Sequence, residues 1–229
     1  MSSTTKSGSD QSGDASARPT WRLWCEFVAL FVGAPLLITA TFGALPLLPI
    51  IAAFAGLSCI LLQITPGWRW KYLLRGPVLG EWRLLAIYTV VTLAVSLAIV
   101  FALIPHRFLE LPTHRTALWL MIMVLYPVFS AFPQEIIFRT LFFERYGRLF
   151  PNAAIAIAMN GAAFALGHLF FDNWVTITMT GFGGAIMGWA YLRHRAIGLP
   201  WLLHSIAGQI IFTVGLGVYF YHGAIGATP

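Results

Sequence analysis

Hydrophobic positions along this chain neither alternate nor recur as a single helical stripe. They run on in long blocks that are apolar on every side: 23–42, 47–64, 84–104, a block from 116, 152–170, 174–192 and 199–221. A helix that is apolar all round must be enclosed by protein or by lipid. About 20 residues at 1.5 Å each are enough to cross a bilayer. The pattern therefore predicts an all-α fold, a polytopic integral membrane bundle of about seven transmembrane helices. It forms one transmembrane domain over 21–229, preceded by a Ser-, Gly- and Asp-bearing tail over 1–20. The tail is too polar to bury a core and is expected to be disordered. It also lacks the short apolar core of a cleavable signal. Pro127 and Pro133 should kink the fourth helix, and Pro46 and Pro49 make the turn between the first two irregular.

Composition narrows the class further. The chain is 59% hydrophobic and only 10% charged, against about 25% charged in soluble domains. A soluble core is thereby excluded. The formal charge of +6 points to no nucleic acid, because its basic residues fall mainly in short loops. With the N-terminus inside, Lys6, Arg18, Arg22, Arg69, Lys71, Arg75, Arg83, Arg145, Arg148, Arg193 and Arg195 are inner, and Arg107 and Arg115 are outer. That bias sets the expected orientation, with the N-terminus cytoplasmic and the C-terminus outward. Trp68, Trp70 and Tyr72 beside Arg69 and Lys71 suit an interfacial belt that meets the lipid bilayer. Cys25 and Cys59 lie in apolar blocks and are expected as packed thiols. Gly181, Gly183, Gly184 and Gly188 give the sixth helix a small-residue face for close packing, within the chain or between subunits.

The candidate chemistry lies where charge enters these blocks. Glu135 and Arg139 are four residues apart, so they share a helical face. An ionisable residue at membrane depth is costly and marks a functional hypothesis with a nearby partner. The guanidinium could hold Glu135 ionised as a general base, or the two could be a purely structural pair. His168 shares a face with Phe164 on the fifth helix, and His204 lies about one turn into the seventh, after Pro200. Each histidine alone also suits a packed or interfacial role. Together, Glu135 and a histidine could deprotonate a water for attack on a peptide carbonyl, with the second histidine donating to the oxyanion. The same three could instead hold Zn²⁺ as a His₂Glu set, although the helical His-Glu-x-x-His presentation is lacking. No metal or other cofactor is the favoured expectation. Either route needs a wet cavity enclosed by helices.

Depth is a constraint. His204 falls near the inner end of its block and His168 near the outer end of the fifth. They meet only if the fourth helix is long, the fifth is tilted, or the fifth starts later. The stretch 140–150 can extend the fourth helix inward, carrying Glu144, Arg145 and Arg148 to the surface.

The run Gln134-Glu135-Ile136-Ile137-Phe138-Arg139, then Phe164 to His168, then His204 resembles the CAAX-processing and bacteriocin-processing (Rce1-like or Abi) family of intramembrane proteases. Their pattern is Glu-Glu-x-x-x-Arg, Phe-x-x-x-His and His-x-x-x-Asn/Asp, and the likeness covers roughly 116–221. The resemblance implies ion-pairing for Arg139, water binding for His168 and oxyanion stabilisation for His204. Two positions depart from it. Gln134 replaces the first Glu, the family's water-activating base, and Gly208 stands where the family has Asn or Asp.

The expected activity is an intramembrane endopeptidase of glutamate type, acting on a membrane-associated protein or peptide. Glu135, His168 and His204 are its candidate catalytic residues, supported by Gln134, Arg139, Phe164 and Gln209. A bacterial inner membrane is the expected location. The alternatives are a non-catalytic scaffold or immunity protein of the same fold, and a small transporter using Glu135 as a proton or cation site.

Overall fold

The computed structural model describes residues 20–41, 46–74, 76 and 78–220. The expected disordered tail, apart from Thr20, lies outside the described residues, as do the end of the first block, part of the following loop and the segment beyond 220. Every regular element among the described residues is helical. In chain order we number the longer helices α1 (Thr20–Thr41), α2 (Leu47–Gln63), α3 (Trp82–Leu103), α4 (Thr116–Leu149), α5 (Ala153–Leu166), α6 (Trp174–His194) and α7 (Gly198–Val214). Each apolar block is thus helical over most of its length.

Among the described residues, length and apolarity together suffice for crossing a membrane in four segments: α1, α3, α4 and the stretch Ala153–Phe171 that contains α5. Helices α2 and α7 are apolar but shorter, at 17 residues each. Helix α6 is long enough, but its glycines and threonines dilute its hydropathy. The outer surface agrees with a lipid environment, since Val124 is 68% exposed and Phe182 73%. The protein is an integral membrane protein.

Helix α4 holds the bundle together and is unusually built. Its 34 residues would extend about 50 Å, well beyond a ~30 Å hydrocarbon core. Pro127 and Pro133 do not break it. Pro127 lacks the N–H that would bond the Met123 carbonyl, and the helix widens to a π register over Pro127–Ala131. The orphaned Met123 carbonyl accepts instead from Gln209 Nε2 of α7, at 2.9 Å. A second π segment covers Ile136–Tyr146. The π-helix is rare, and its single-turn form is frequent at functional sites. Trp201 Nε1 donates to the Pro127 carbonyl at 2.7 Å and Trp119 Nε1 to Thr213 Oγ1 at 3.0 Å, so α7 is laced to α4 along its length.

The inward extension of α4 does not bring all of its charges to the surface. Arg148 is exposed, but Arg145 is 4% exposed. It is gripped by both carboxylate oxygens of Glu26, with further bonds to Thr65 Oγ1 and the Leu61 carbonyl. A guanidinium with five donors can be enclosed when a carboxylate and neighbouring oxygens occupy them. Cys25 also departs from expectation: it is exposed on the side of α1 turned away from the bundle, and Cys59 is half-buried.

The small-residue face of α6 packs within the chain. A Cβ on Gly184 would lie 2.9 Å from the Phe164 Cβ, and one on Gly188 would lie 2.7 Å from Asn160 Oδ1. Glycine at these two positions lets α5 and α6 approach closely enough to hold Phe164 and Asn160 in place.

Candidate active site

Depth is reconciled by the ends of α4 and α7. At the rim, Arg195 Nη2 donates to Glu144 Oε2 at 3.0 Å. Glu135 lies nine residues before Glu144 and His204 nine after Arg195. The two helices climb from that shared level together, and their side chains meet. His204 Nδ1 donates to Glu135 Oε1 at 2.7 Å. The second oxygen, Oε2, accepts from Arg139 Nε at 3.1 Å.

Arg139 extends the chain of contacts into α5. Its Nη1 donates to Asn160 Oδ1, and Asn160 Nδ2 donates to the Phe138 carbonyl at 2.5 Å. The guanidinium carbon sits 4.7 Å over the Phe164 ring, a cation–π contact in a dry setting. Its Nη2 has no hydrogen-bond partner among the described residues. Glu135, Arg139 and Asn160 are all 0% exposed, and His204 is 5%. Four helical residues from three helices therefore share one buried polar network.

Phe164 is the hinge between the two histidines. Its ring lies 4.5 Å from the His168 ring and 5.4 Å from the His204 ring, centroid to centroid. His168 stands just past the end of α5, where its Nδ1 donates to the Phe164 carbonyl at 2.8 Å. A carboxylate and a carbonyl only accept, so both Nδ1 atoms must carry the proton. Both imidazoles, when neutral, then present Nε2 as a lone pair.

A cavity of about 1350 Å³ runs beside this network. His168, His204, Gln134 and Tyr126 line it, with Ser130 nearby and mainly apolar side chains elsewhere. Glu135 and Arg139 are absent from its wall. Gln134 Nε2 donates to Ser130 Oγ at 3.0 Å, so the position that would hold a first glutamate faces the cavity as an amide. Glu135 is turned away, consistent with neighbouring helical positions pointing about 100° apart.

Among the sequence-predicted residues, the structure thus brings together Glu135, Arg139, Phe164, His168 and His204, with Gln134 on the adjoining wall. It does not bring Gln209 to the site, because that amide serves the carbonyl freed by Pro127. Sequence reasoning missed Asn160. Its signal was an amide inside the apolar 152–170 block, which a lipid-facing position would not tolerate. It also missed Tyr126, whose ring covers Gly208.

Glu135 and His204 already bind each other, and no group of three His, Cys, Asp or Glu side chains suited to a metal occurs among the described residues. The polar residues lining the cavity include His168, His204, Gln134, Tyr126 and Ser130.

The likeness to known proteins covers residues 115–210. They match the family described as type II CAAX prenyl endopeptidase Rce1-like, whose members are membrane CAAX proteases. The matched segment contains the whole network, from Glu135 to His204, while α1 to α3 lie outside it. Neither curated proteins nor solved structures yield a significant match.

Proposed function

We propose that the protein is an intramembrane endopeptidase of membrane-associated proteins or peptides, in which His204 is the water-activating base and Glu135 its anchor. The observation that carries this reading is the 2.7 Å bond from His204 Nδ1 to Glu135 Oε1. A buried carboxylate on Nδ1 fixes the tautomer and stabilises the imidazolium that forms when Nε2 takes a proton. Glu135 itself is fully enclosed, with both oxygens engaged, so a direct base role for it has no access to water. His168 lines the same cavity and would position the water.

In the step, Nε2 of His204 removes a proton from water as the water oxygen bonds to the peptide carbonyl carbon. The π pair moves onto the carbonyl oxygen. When that pair returns, the C–N bond breaks and the imidazolium proton goes to the departing nitrogen. The loop-charge bias supports an orientation with the N-terminus cytoplasmic.

The test is cleavage of a membrane-anchored peptide library by the full chain in proteoliposomes. His204→Gln should abolish turnover while the variant remains folded, and full activity in that variant would sink the assignment. A second reading, a non-catalytic binder of the same fold, is favoured by Gln134, an amide facing the cavity where a base would serve hydrolysis. It predicts that the library is bound and never cut.

A further inference from the structure

We propose that the Tyr126 hydroxyl is a further catalytic group, the donor that binds the oxyanion formed at the scissile carbonyl. This assignment rests on the peptidase reading above. It starts from an absence of side chain. Position 208 lies one turn beyond His204 and so shares its face of α7. It is glycine, and a Cβ there would overlap the Tyr126 ring, with the hydroxyl oxygen 2.6 Å away. Any larger residue would expel the ring. Gly208 thus opens a place beside the base, and Tyr126 fills it from α4.

The ring is held on two sides. It meets His204 edge-on, with centroids 5.9 Å apart and planes at 75°, and Phe212 at 5.7 Å and 66°. A phenol enclosed by protein ordinarily finds a hydrogen-bond partner. Tyr126 forms no such bond among the described residues, and its hydroxyl is not among the fully enclosed orphan atoms. The residue lines the cavity with His168 and His204, so its O–H is available to a group lying there. Gln134, another donor on this wall, commits one of its two Nε2 hydrogens to Ser130 and is not held against the His204 ring as Tyr126 is. Tyr126 therefore combines a fixed position beside the base with an uncommitted donor.

Chemically, the hydroxyl would be idle toward the trigonal carbonyl and would bond most strongly to the tetrahedral oxyanion, when negative charge has moved onto oxygen. Removing one donor of this kind lowers kcat by about 10²–10³-fold. The effect should fall on kcat and leave KM nearly unchanged, because ground-state binding does not use the bond.

Tyr126→Phe keeps the ring and deletes only the hydroxyl. In proteoliposomes it should lower kcat by about 10²-fold at unchanged KM and melting temperature. It should weaken binding of a phosphinate peptide, whose tetrahedral oxygens mimic the oxyanion, by a similar factor, and leave the parent peptide's affinity alone. Gly208→Ala, which displaces the ring, should lower kcat in the tyrosine background and add little in the phenylalanine one. An active wild type with a Tyr126→Phe variant of equal kcat overturns this proposal alone. A wild type that binds the library without cleaving it, with phosphinate affinity unchanged by His204→Gln, overturns the peptidase reading and this one with it.

Discussion

Glu135 with Arg139 and Glu81 with Arg193 are the same chemical pair in two settings. Their separations are similar, 3.1 and 2.8 Å, yet the first pair is 0% exposed on both sides and the second is 16% and 48%. In the bundle the two charges have left water, so each depends on the other and on the hydrogen bonds around it. At the rim, solvent can replace either partner. Contact geometry alone would rank the pairs as equals, whereas desolvation separates them.

The comparison can be broken most directly at Arg139. Arg139→Met should destabilise the fold by about 3–5 kcal/mol, because Glu135 is left as a buried charge with no cation. Reversible unfolding in mixed micelles measures it, and a loss below about 1 kcal/mol would place the buried pair with exposed ones. A smaller effect is expected at Asn160. Asn160→Leu removes the acceptor for Arg139 Nη1 and the donor to the Phe138 carbonyl, at a cost of about 1–3 kcal/mol. The same unfolding assay applies, and an unchanged midpoint would mean that Arg139 needs no support from α5.

The least effect is expected at the rim, where it should follow pH. The Arg193 hydrogen bond, and then that of His194, holds the Glu81 carboxyl below its ordinary value of 4.5. A carboxyl with a lowered folded value favours folding above that ordinary value, and the benefit fades as pH falls toward the lowered one. Melting temperatures of the wild type and Arg193→Ala should therefore differ slightly at neutral pH and converge in acid. A gap that persists in acid would show that Arg193 acts through packing, as its 5.6 Å contact over Trp189 would allow.

Legibility divided along the same line as energy. The all-helical, apolar bundle could be read because continuous apolar blocks need no partner to declare themselves. The Glu135–Arg139 pair could be read because a spacing of four fixes a shared face. The His204 contact was unreadable, since it depends on how far α4 extends past Glu144 and where α7 begins. The prolines of α4 were visible, but their outcome was not. A missing N–H predicts a kink, and here a π register and the Gln209 amide absorb it.

The sequence by itself determined an integral membrane bundle with one ion pair at depth and two histidines on later helices. Those properties are local: hydrophobicity, spacing and charge act within a single helix. Tertiary structure alone decided that Glu135 faces away from the cavity while Gln134 faces into it. It also decided that His204 takes the first oxygen of Glu135, and that Tyr126 fills the space over Gly208. These are relations between helices, set by axial register and close packing, and a one-residue shift of either helix would undo them.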